Sequence, residues 1–251
     1  MEETCQQNNQ PPAAQLPPGA VGVETLTGGT RVYVSKIHRF GTDALLLARF
    51  RRPKRNERAV DLCSGCGIVA LEWHDSGHRG PCAAVELSAE ASALLTAAAA
   101  ELPEGEHIQP IRQDLKQYAP PQRGSFDLVA CNPPYFTGGF AAADSQRADA
   151  RHEQQCTLED VCACAARLLR DGGRFTLCHR PERMAEVFSV LRSHRLEPKR
   201  VALVKNSGGG QPWLFLCEAQ KNRKVGLRWE PDVCIDTGAA LYGPELAEKA
   251  R

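Results

Sequence analysis

The stretch that decides the fold runs from Ala59 to Trp73 and reads AVDLCSGCGIVALEW. Its first four residues, Ala59–Leu62, form a short apolar run of the kind found in a buried strand, and a loop with two glycines follows. From Ile68 onward the apolar residues continue as a helix. A strand, a tight glycine loop and a helix in this order predict the first unit of an open α/β sheet.

The same alternation of strands and helices continues toward the C-terminus. We predict helices over 88–100, 157–169 and 181–194, the second of them ended by Asp171-Gly172-Gly173. Short strands separated by helices favour parallel pairing with right-handed crossovers, so the fold class is a Rossmann-like α/β sheet, mostly parallel, with helices on both faces. The predicted strands are 59–62, 82–87, 107–113, 126–131, 174–179, 200–204 and 213–219.

Four segments are expected along the chain. Residues 1–20 are polar and rich in proline, which predicts a disordered tail. Residues 21–57 hold a hairpin that turns at Gly28-Gly29 and a short helix that Thr42 or Asp43 can cap. Residues 58–221 form the main domain, and residues 222–251 form an extension packed on it.

Composition excludes several classes of protein. The net charge of +1 gives no sign that the protein as a whole is a basic nucleic-acid binder. The charge is uneven, however, because residues 31–58 carry about +7 and residues 59–160 carry about −9. The eleven cysteines are an odd number without zinc-finger spacing, so we expect small buried side chains and no metal. The N-terminus lacks the apolar run of a signal peptide. A cytoplasmic monomer without a membrane contact is expected.

Three strand ends carry residues suited to a ligand, and parallel sheets bind ligands at the carboxyl ends of their strands. Gly65, Gly67 and Ala70 fit the spacing that lets a ligand approach the backbone and a helix pack closely. Glu86 follows nineteen residues after Gly67 at a strand end, where a carboxylate can accept from both ribose hydroxyls. Asp114 is placed to meet an adenine. Together they predict a cofactor that contains adenosine.

The segment Ala130–Gly139, ACNPPYFTGG, follows the strand at 126–131 directly. Asn132 offers a side-chain carbonyl, and Pro133 offers a backbone carbonyl held by the fixed φ of consecutive prolines. Two acceptors facing the two N–H groups of a planar amine favour a pyramidal nitrogen whose lone pair can attack. Tyr135 can stack on a base. Catalysis would then depend on orientation and electrostatics, with no general base required.

On these residues the chain resembles the Class I S-adenosylmethionine-dependent methyltransferases with an Asn-Pro-Pro-Tyr motif, most closely the bacterial tRNA(Val) (adenine(37)-N(6))-methyltransferases. The resemblance runs from about Thr25 to the C-terminus. It implies S-adenosyl-L-methionine as cofactor and tRNA as substrate, methylated on the adenosine 3′ of the anticodon. The segments that carry it are 39–44, 61–67, 132–136, 150–153, 179–183 and 235–242.

The resemblance also implies roles for residues, and one of them departs from the family pattern. The family usually has glycine where this chain has Cys63, which adds a side chain beside the expected path of the cofactor. Catalytic roles fall on Asn132, Pro133 and Tyr135. The implied cofactor contacts are Asp61, Cys63, Gly65, Gly67, Glu86, Leu87, Asp114, Leu115 and Asn132. The residues that could meet substrate RNA are Arg39, Arg51, Arg52, Arg151 and His152.

Other activities remain open at this point. A guanine methyltransferase of ribosomal RNA is the nearest rival, because its loop differs mainly in the aromatic residue. A protein glutamine N-methyltransferase presents the same kind of amine, but such enzymes usually carry a larger helical domain before the glycine loop. DNA adenine methyltransferases usually need an added recognition region, for which the residues after Ala219 are too few. A non-catalytic RNA-binding protein is the alternative outside the enzymes.

Overall fold

The structure is a computed structural model that describes residues 16–103, 108–120, 124–133 and 156–236. The helices in these ranges are α1 (Thr42–Phe50), α2 (Ile68–Asp75), α3 (Ala89–Ala100), α4 (Leu158–Leu168) and α5 (Met184–Ser193), with a 3-10 turn at Pro181–Arg183. The strands are β1 (Gly22–Thr25), β2 (Arg31–Val34), β3 (Ala59–Leu62), β4 (Cys82–Glu86), β5 (Ile108–Arg112), β6 (Phe126–Cys131), β7 (Leu169–His179), β8 (Leu196–Lys205), β9 (Pro212–Lys221), β10 (Arg228–Trp229) and β11 (Val233–Cys234).

The main sheet has the strand order β10-β8-β9-β7-β6-β3-β4-β5, and β11 also pairs with β8. Strands β3 to β7 pair in parallel, and Leu62 lies opposite both Val85 and Cys131, so their carboxyl ends share one edge. Strand β9 is antiparallel to both β7 and β8. The predicted mostly parallel α/β sheet is confirmed.

Side chains alternate between the two faces of the sheet. Ala59 belongs to one buried cluster with Leu47 of α1 and Trp73 of α2. Val60 belongs to a second cluster on the opposite face, together with Leu168 of α4. Because successive residues of a strand point to opposite faces, a short apolar strand must be covered on both sides. Helices therefore lie on both faces, as predicted.

The N-terminal hairpin and α1 share the core of the main sheet. Strands β1 and β2 pair antiparallel, and Val32 is fully buried in the cluster that contains Trp73. The indole Nε1 of Trp73 donates to the backbone oxygen of Ala48 at 3.0 Å. Residues 16–20, part of the expected tail, include a turn in which Ala20 N donates to Pro17 O, and the rest of that tail lies outside the described residues. The predicted segment boundaries stay predictions.

Two local predictions were wrong. Neither Thr42 nor Asp43 caps α1, since Gly41 occupies the N-cap position and no side chain bonds there. The helix over 157–169 ends at Leu168, before the Asp171-Gly172-Gly173 segment. Leu169 already pairs with Phe126 of β6, so strand pairing ends the helix, and Gly172 takes a φ of +73° inside β7, where the register shifts.

Three further observations concern the described residues. Strands β10 and β11, which were not predicted from the sequence, pair with β8 in parallel. Ten cysteines lie in the described ranges, all with free thiols, and seven of them are buried. None of the described helices combines the length and the apolar character needed to cross a bilayer.

Candidate active site

A cavity of about 370 Å³ opens at the carboxyl edge of β3, β4, β5 and β6, beneath the segment that joins β2 to α1. Its wall brings together residues that were predicted from separate parts of the sequence. Predicted residues in the wall are Arg39, Asp61, Cys63, Gly65, Glu86, Leu87, Asp114, Leu115, Asn132 and Pro133. This is the edge at which an open parallel sheet binds its ligands.

The glycine loop after β3 is held by the carboxylate of Glu86. Gly65 N donates to Glu86 Oε2 at 2.8 Å, and Ser88 N donates to Glu86 Oε1 at 2.7 Å. Gly65 has a φ of +54° and an open side where a β-carbon would point. Gly67 is not part of the cavity wall, and a β-carbon there would overlap Leu95 of α3. Its role is to let the loop pack against that helix.

Asp61 is a buried carboxyl group at the end of β3. It is 1% exposed, and burial raises its pKa well above 3.8, with the nearby charge of Glu86 acting in the same direction. Ala70 N donates to Asp61 Oδ2 at 3.3 Å, a contact that partly offsets this shift. The cavity wall also contains Asp43 and Asp114, so carboxyl groups dominate its charge. Such a wall favours a ligand that carries positive charge.

Cys63 stands in a backbone conformation that normally requires glycine. Its φ is +56°, in the left-handed region that residues with a β-carbon rarely adopt. Its thiol contacts those of Cys131 and Cys156, and burial raises the pKa of Cys131 to about 11. These thiols are therefore protonated at neutral pH, the form that is a poor nucleophile. In the described ranges, no three His, Cys, Asp or Glu side chains converge as metal ligands.

Asn132 follows the last residue of β6, and neighbours on two other elements hold its amide. Its Nδ2 donates to Asp43 Oδ2 in the first turn of α1 at 3.2 Å. The thiol of Cys178 in β7 donates to Asn132 Oδ1 at 3.0 Å. Sequence reasoning missed Asp43 as a site residue by treating it as a helix cap. The available signal was an acidic residue two positions after Gly41, inside the segment 39–44 that carries the resemblance.

The segment between β2 and α1 forms the rim of the cavity. Ser35 is buried, and its Oγ accepts from the backbone N–H groups of Ile37 and His38 at 3.2 and 3.0 Å. The ring of His38 is hydrogen-bonded through Nε2 to Ser88 Oγ at 3.0 Å. These bonds fix the turn that places the exposed Arg39 at the mouth of the site.

The structure does not bring Arg51 and Arg52 to the cavity. Both follow the C-terminal end of α1, whereas the N-terminal end of that helix lines the site. Arg51 is largely buried, with guanidinium nitrogens 3.3 Å from Glu57 Oε2 and 3.7 Å from Glu218 Oε2. Arg52 is half exposed and lies 3.7 Å from Glu72. Ion pairing accounts for Arg51 without RNA, and the RNA contact of Arg52 stays a prediction.

Three predicted residues lie outside the described ranges: Tyr135, Arg151 and His152. The stacking role of Tyr135 and the phosphate contacts of the other two stay predictions.

Comparison with known proteins places the chain among methyltransferases. The family model of the methyltransferase small domain matches residues 25–194. A relative from Dickeya chrysanthemi, named tRNA1(Val) (adenine(37)-N6)-methyltransferase, is 36% identical over 136 residues, 54% of this chain and 54% of that protein. A relative of the same name from Bacteroides thetaiotaomicron is 29% identical over 212 residues, 84% of this chain and 88% of that protein. The chain thus spans about half of the first relative and most of the second.

Solved structures share the fold at low sequence identity. A predicted O-methyltransferase from Agrobacterium tumefaciens has a TM-score of 0.61 at 22% identity, covering 82% of this chain and 94% of that one. Geranyl diphosphate methyltransferase in complex with SAM has a TM-score of 0.53 at 17% identity, covering 71% of this chain and 84% of that one. At these sequence identities the comparison shows a shared fold and nothing more.

Proposed function

Since this chain belongs to the methyltransferase small domain family, we propose that it transfers a methyl group from S-adenosyl-L-methionine to the exocyclic amine of an adenine in tRNA. The finer assignment within this proposal is adenosine(37) of tRNA(Val). The observation that carries the proposal is the position of Asn132, whose amide lies in the same cavity wall as Glu86 and the glycine loop. The residues proposed to hold the amine and those proposed to bind the cofactor therefore line one cavity.

The cavity fits the proposed cofactor in size and charge. Its volume of about 370 Å³ lies within the range of roughly 300–1,000 Å³ typical of ligand sites. When bound, S-adenosyl-L-methionine supplies an electrophilic methyl group on a positively charged sulfur. The carboxyl groups of Asp43, Asp61, Glu86 and Asp114 favour that charge. Glu86 can accept from ribose hydroxyls while it keeps its two backbone bonds, because a carboxylate has about four acceptor positions.

Ser64 adds a polar group that sequence reasoning did not single out. It lies in the glycine loop, lines the cavity and is 5% exposed. Its Oγ has no hydrogen-bond partner among the described residues. A buried hydroxyl without a partner costs free energy, so a ligand that bonds to it stabilises the site.

The substrate amine would be held by two carbonyl acceptors. Asn132 Oδ1 and the backbone oxygen of Pro133 accept from the two N–H groups of the planar amine. This arrangement turns the lone pair of the amine nitrogen out of conjugation with the adenine ring and toward the methyl group of the cofactor. We infer that Tyr135, two residues further along the chain, stacks on the base and holds it outside its own stack. The new N–C bond would form as the S–C bond to the methyl group breaks, which leaves S-adenosyl-L-homocysteine. No side chain is required as a general base in the transfer itself, since the methylated nitrogen would lose its extra proton to solvent afterwards.

The choice of tRNA rests on the relatives, both named as methyltransferases of adenine 37 in tRNA1(Val). The exposed Arg39 at the cavity mouth suits a phosphate backbone. The rival substrates, a guanine in ribosomal RNA and a glutamine side chain, make distinct products and so become outcomes of the test.

The test is three parallel incubations with methyl-labelled S-adenosyl-L-methionine, one each with total tRNA, ribosomal RNA and a protein extract, followed by digestion to nucleosides or amino acids. We expect label in N6-methyladenosine. Asn132→Ala should abolish turnover while calorimetry still detects cofactor binding, and Asn56→Ala, an exposed asparagine before β3, should retain full activity. Label in methylguanosine, label in protein, or full activity of Asn132→Ala would overturn the proposal.

A further inference from the structure

We propose that Asp43 is a positioning residue that fixes which end of the Asn132 amide faces the substrate, and thereby selects an exocyclic amine over a carbonyl. This inference rests on the proposed function and adds a determinant of specificity to it. The observation is the hydrogen bond of 3.2 Å from Asn132 Nδ2 to Asp43 Oδ2. It joins residues 89 positions apart, so the fold and not local chain geometry creates it.

The chemistry of the two groups determines the orientation. An amide side chain has a donor end and an acceptor end of nearly the same shape, and rotation by 180° exchanges them. An ionised carboxylate can only accept. Asp43 therefore requires that the NH₂ end of the Asn132 amide faces it, which leaves the carbonyl end facing away from Asp43.

A second contact favours the same orientation. The thiol of Cys178 donates to Asn132 Oδ1 at 3.0 Å. Cys131 pairs with Leu177 across β6 and β7, so the sheet register sets Cys178 beside Asn132. A donor at one end and an acceptor at the other both stabilise a single state of the amide. The thiol is the weaker of the two, because S–H is a poor donor.

The surroundings of Asp43 allow this contact. Ala44, Leu47 and other buried residues anchor α1 in the core, so the helix holds Asp43 in place. Gly41 has no side chain, and a β-carbon there would lie 2.6 Å from Asp43 Oδ1. A larger residue at position 41 would push the carboxylate away.

The consequence is a preference for one kind of base. A carbonyl oxygen has two acceptor positions, so Asn132 Oδ1 can accept from the Cys178 thiol and also from an amine such as that of adenine. With the amide reversed, it would donate and would favour a base with a carbonyl at the same position, such as hypoxanthine. Asp43→Asn removes the constraint, because an asparagine at position 43 can accept or donate.

The experiment compares wild type and Asp43→Asn on an anticodon stem-loop RNA with adenine, unsubstituted purine or hypoxanthine at the target position. Loss of one charge-assisted hydrogen bond is expected to lower kcat about 10- to 100-fold. Because Asp43 also adds negative charge to the cavity wall, cofactor affinity is expected to fall by up to about tenfold, so kcat is compared at saturating cofactor. With the demethylated cofactor present, wild type should bind the adenine RNA more tightly than the other two, and the variant should lose this preference.

Two further variants separate positioning from a general structural role. Glu90→Gln removes a carboxylate from the first turn of α3, away from the site, and should leave kcat and base preference unchanged. Gly41→Ala keeps Asp43 but displaces its carboxylate, so it should reduce the preference in wild type and add nothing to Asp43→Asn. It also tests the inference if Asp43→Asn does not fold.

Failure of the inference and failure of the proposed function give different results. If wild type neither methylates the adenine RNA nor prefers it, the proposed function is wrong. If wild type does both, and Asp43→Asn or Gly41→Ala retains the rate and the preference, the positioning role is wrong.

Discussion

The carboxylate of Glu86 accepts the backbone N–H of Gly65 at 2.8 Å, so a residue at the end of β4 holds the glycine loop that follows β3. The same carboxylate accepts from Ser88 N at the start of α3. Glu86 thus organises two segments of the cavity wall before any ligand arrives. Its predicted contact with a ribose is a second role for a group that already shapes the site.

Glu86→Gln should weaken cofactor binding more than it weakens the fold. The amide loses one acceptor and the negative charge, and hydrogen bonds to charged groups contribute about 1.5–3 kcal/mol each. We expect affinity for S-adenosyl-L-methionine to fall by about 10- to 100-fold in calorimetry. The control is Glu182→Gln, an exposed glutamate in the 3-10 turn, which should bind as wild type does. Unchanged affinity in Glu86→Gln would contradict the ribose contact.

The effect of Cys63 substitutions on the free energy of unfolding should depend on backbone strain and not on side-chain polarity. At its φ of +56°, a β-carbon costs about 1–2 kcal/mol, and a β-branched residue costs more. Cys63→Gly relieves this strain but gains unfolded-state entropy worth about 0.5–1 kcal/mol and loses the thiol contacts. Urea unfolding should therefore place Cys63→Gly within about 1 kcal/mol of wild type and Cys63→Val at least about 2 kcal/mol below it.

Cofactor binding gives an independent reading of the same position. Cys63 lines the cavity, so Cys63→Gly should bind S-adenosyl-L-methionine at least as tightly as wild type. If Cys63→Val were as stable as Cys63→Gly, the left-handed backbone at this position would be wrong.

The sequence predicts what depends on short-range pattern. Strands β3 and β6 have the expected bounds, because each is a compact apolar run with breaks on both sides. Glu86 and Asp114 lie in one cavity wall because parallel strands end at one edge, and that rule needs only the order of elements. Strands β10 and β11 have two residues each, too few for any periodic signal.

Contacts between distant segments were beyond sequence reasoning. The bond between Asp43 and Asn132 depends on how α1 packs against the sheet, which no local spacing records. Arg51 belongs to a run of positive charge that could serve RNA or the fold equally well. Only the positions of Glu57 and Glu218 distinguish these roles, and they favour the fold.

Arg39 and Arg51 should therefore respond differently to alanine substitution. Arg39→Ala removes an exposed charge at the cavity mouth, and each lost phosphate contact reduces the slope of log K against log salt by about 0.7–0.9. Arg51→Ala should leave RNA affinity and its salt slope unchanged, but lower unfolding stability by about 1–3 kcal/mol, because buried acceptors lose a partner. Filter binding at several salt concentrations and thermal unfolding measure both. If Arg51→Ala weakened RNA binding and Arg39→Ala did not, the predicted RNA contact of Arg51 would be supported.

Asp61 should make the cofactor-free protein less stable as pH rises. Burial raises its folded-state pKa well above 3.8, so between these values the native state holds a proton that the unfolded state has released. Stability from this group is complete below pH 3.8 and is lost as pH rises through the folded pKa.

Asp61→Asn keeps the shape of the side chain without the charge. At pH 8 its free energy of unfolding should exceed that of wild type, and the difference should shrink toward pH 4. Cofactor affinity should fall in the same variant, because the Asp61 carboxylate lines the cavity that we propose holds the positively charged cofactor. Urea unfolding at both pH values and calorimetry measure the two effects, and a variant less stable than wild type at pH 8 would show that the buried charge stabilises the fold.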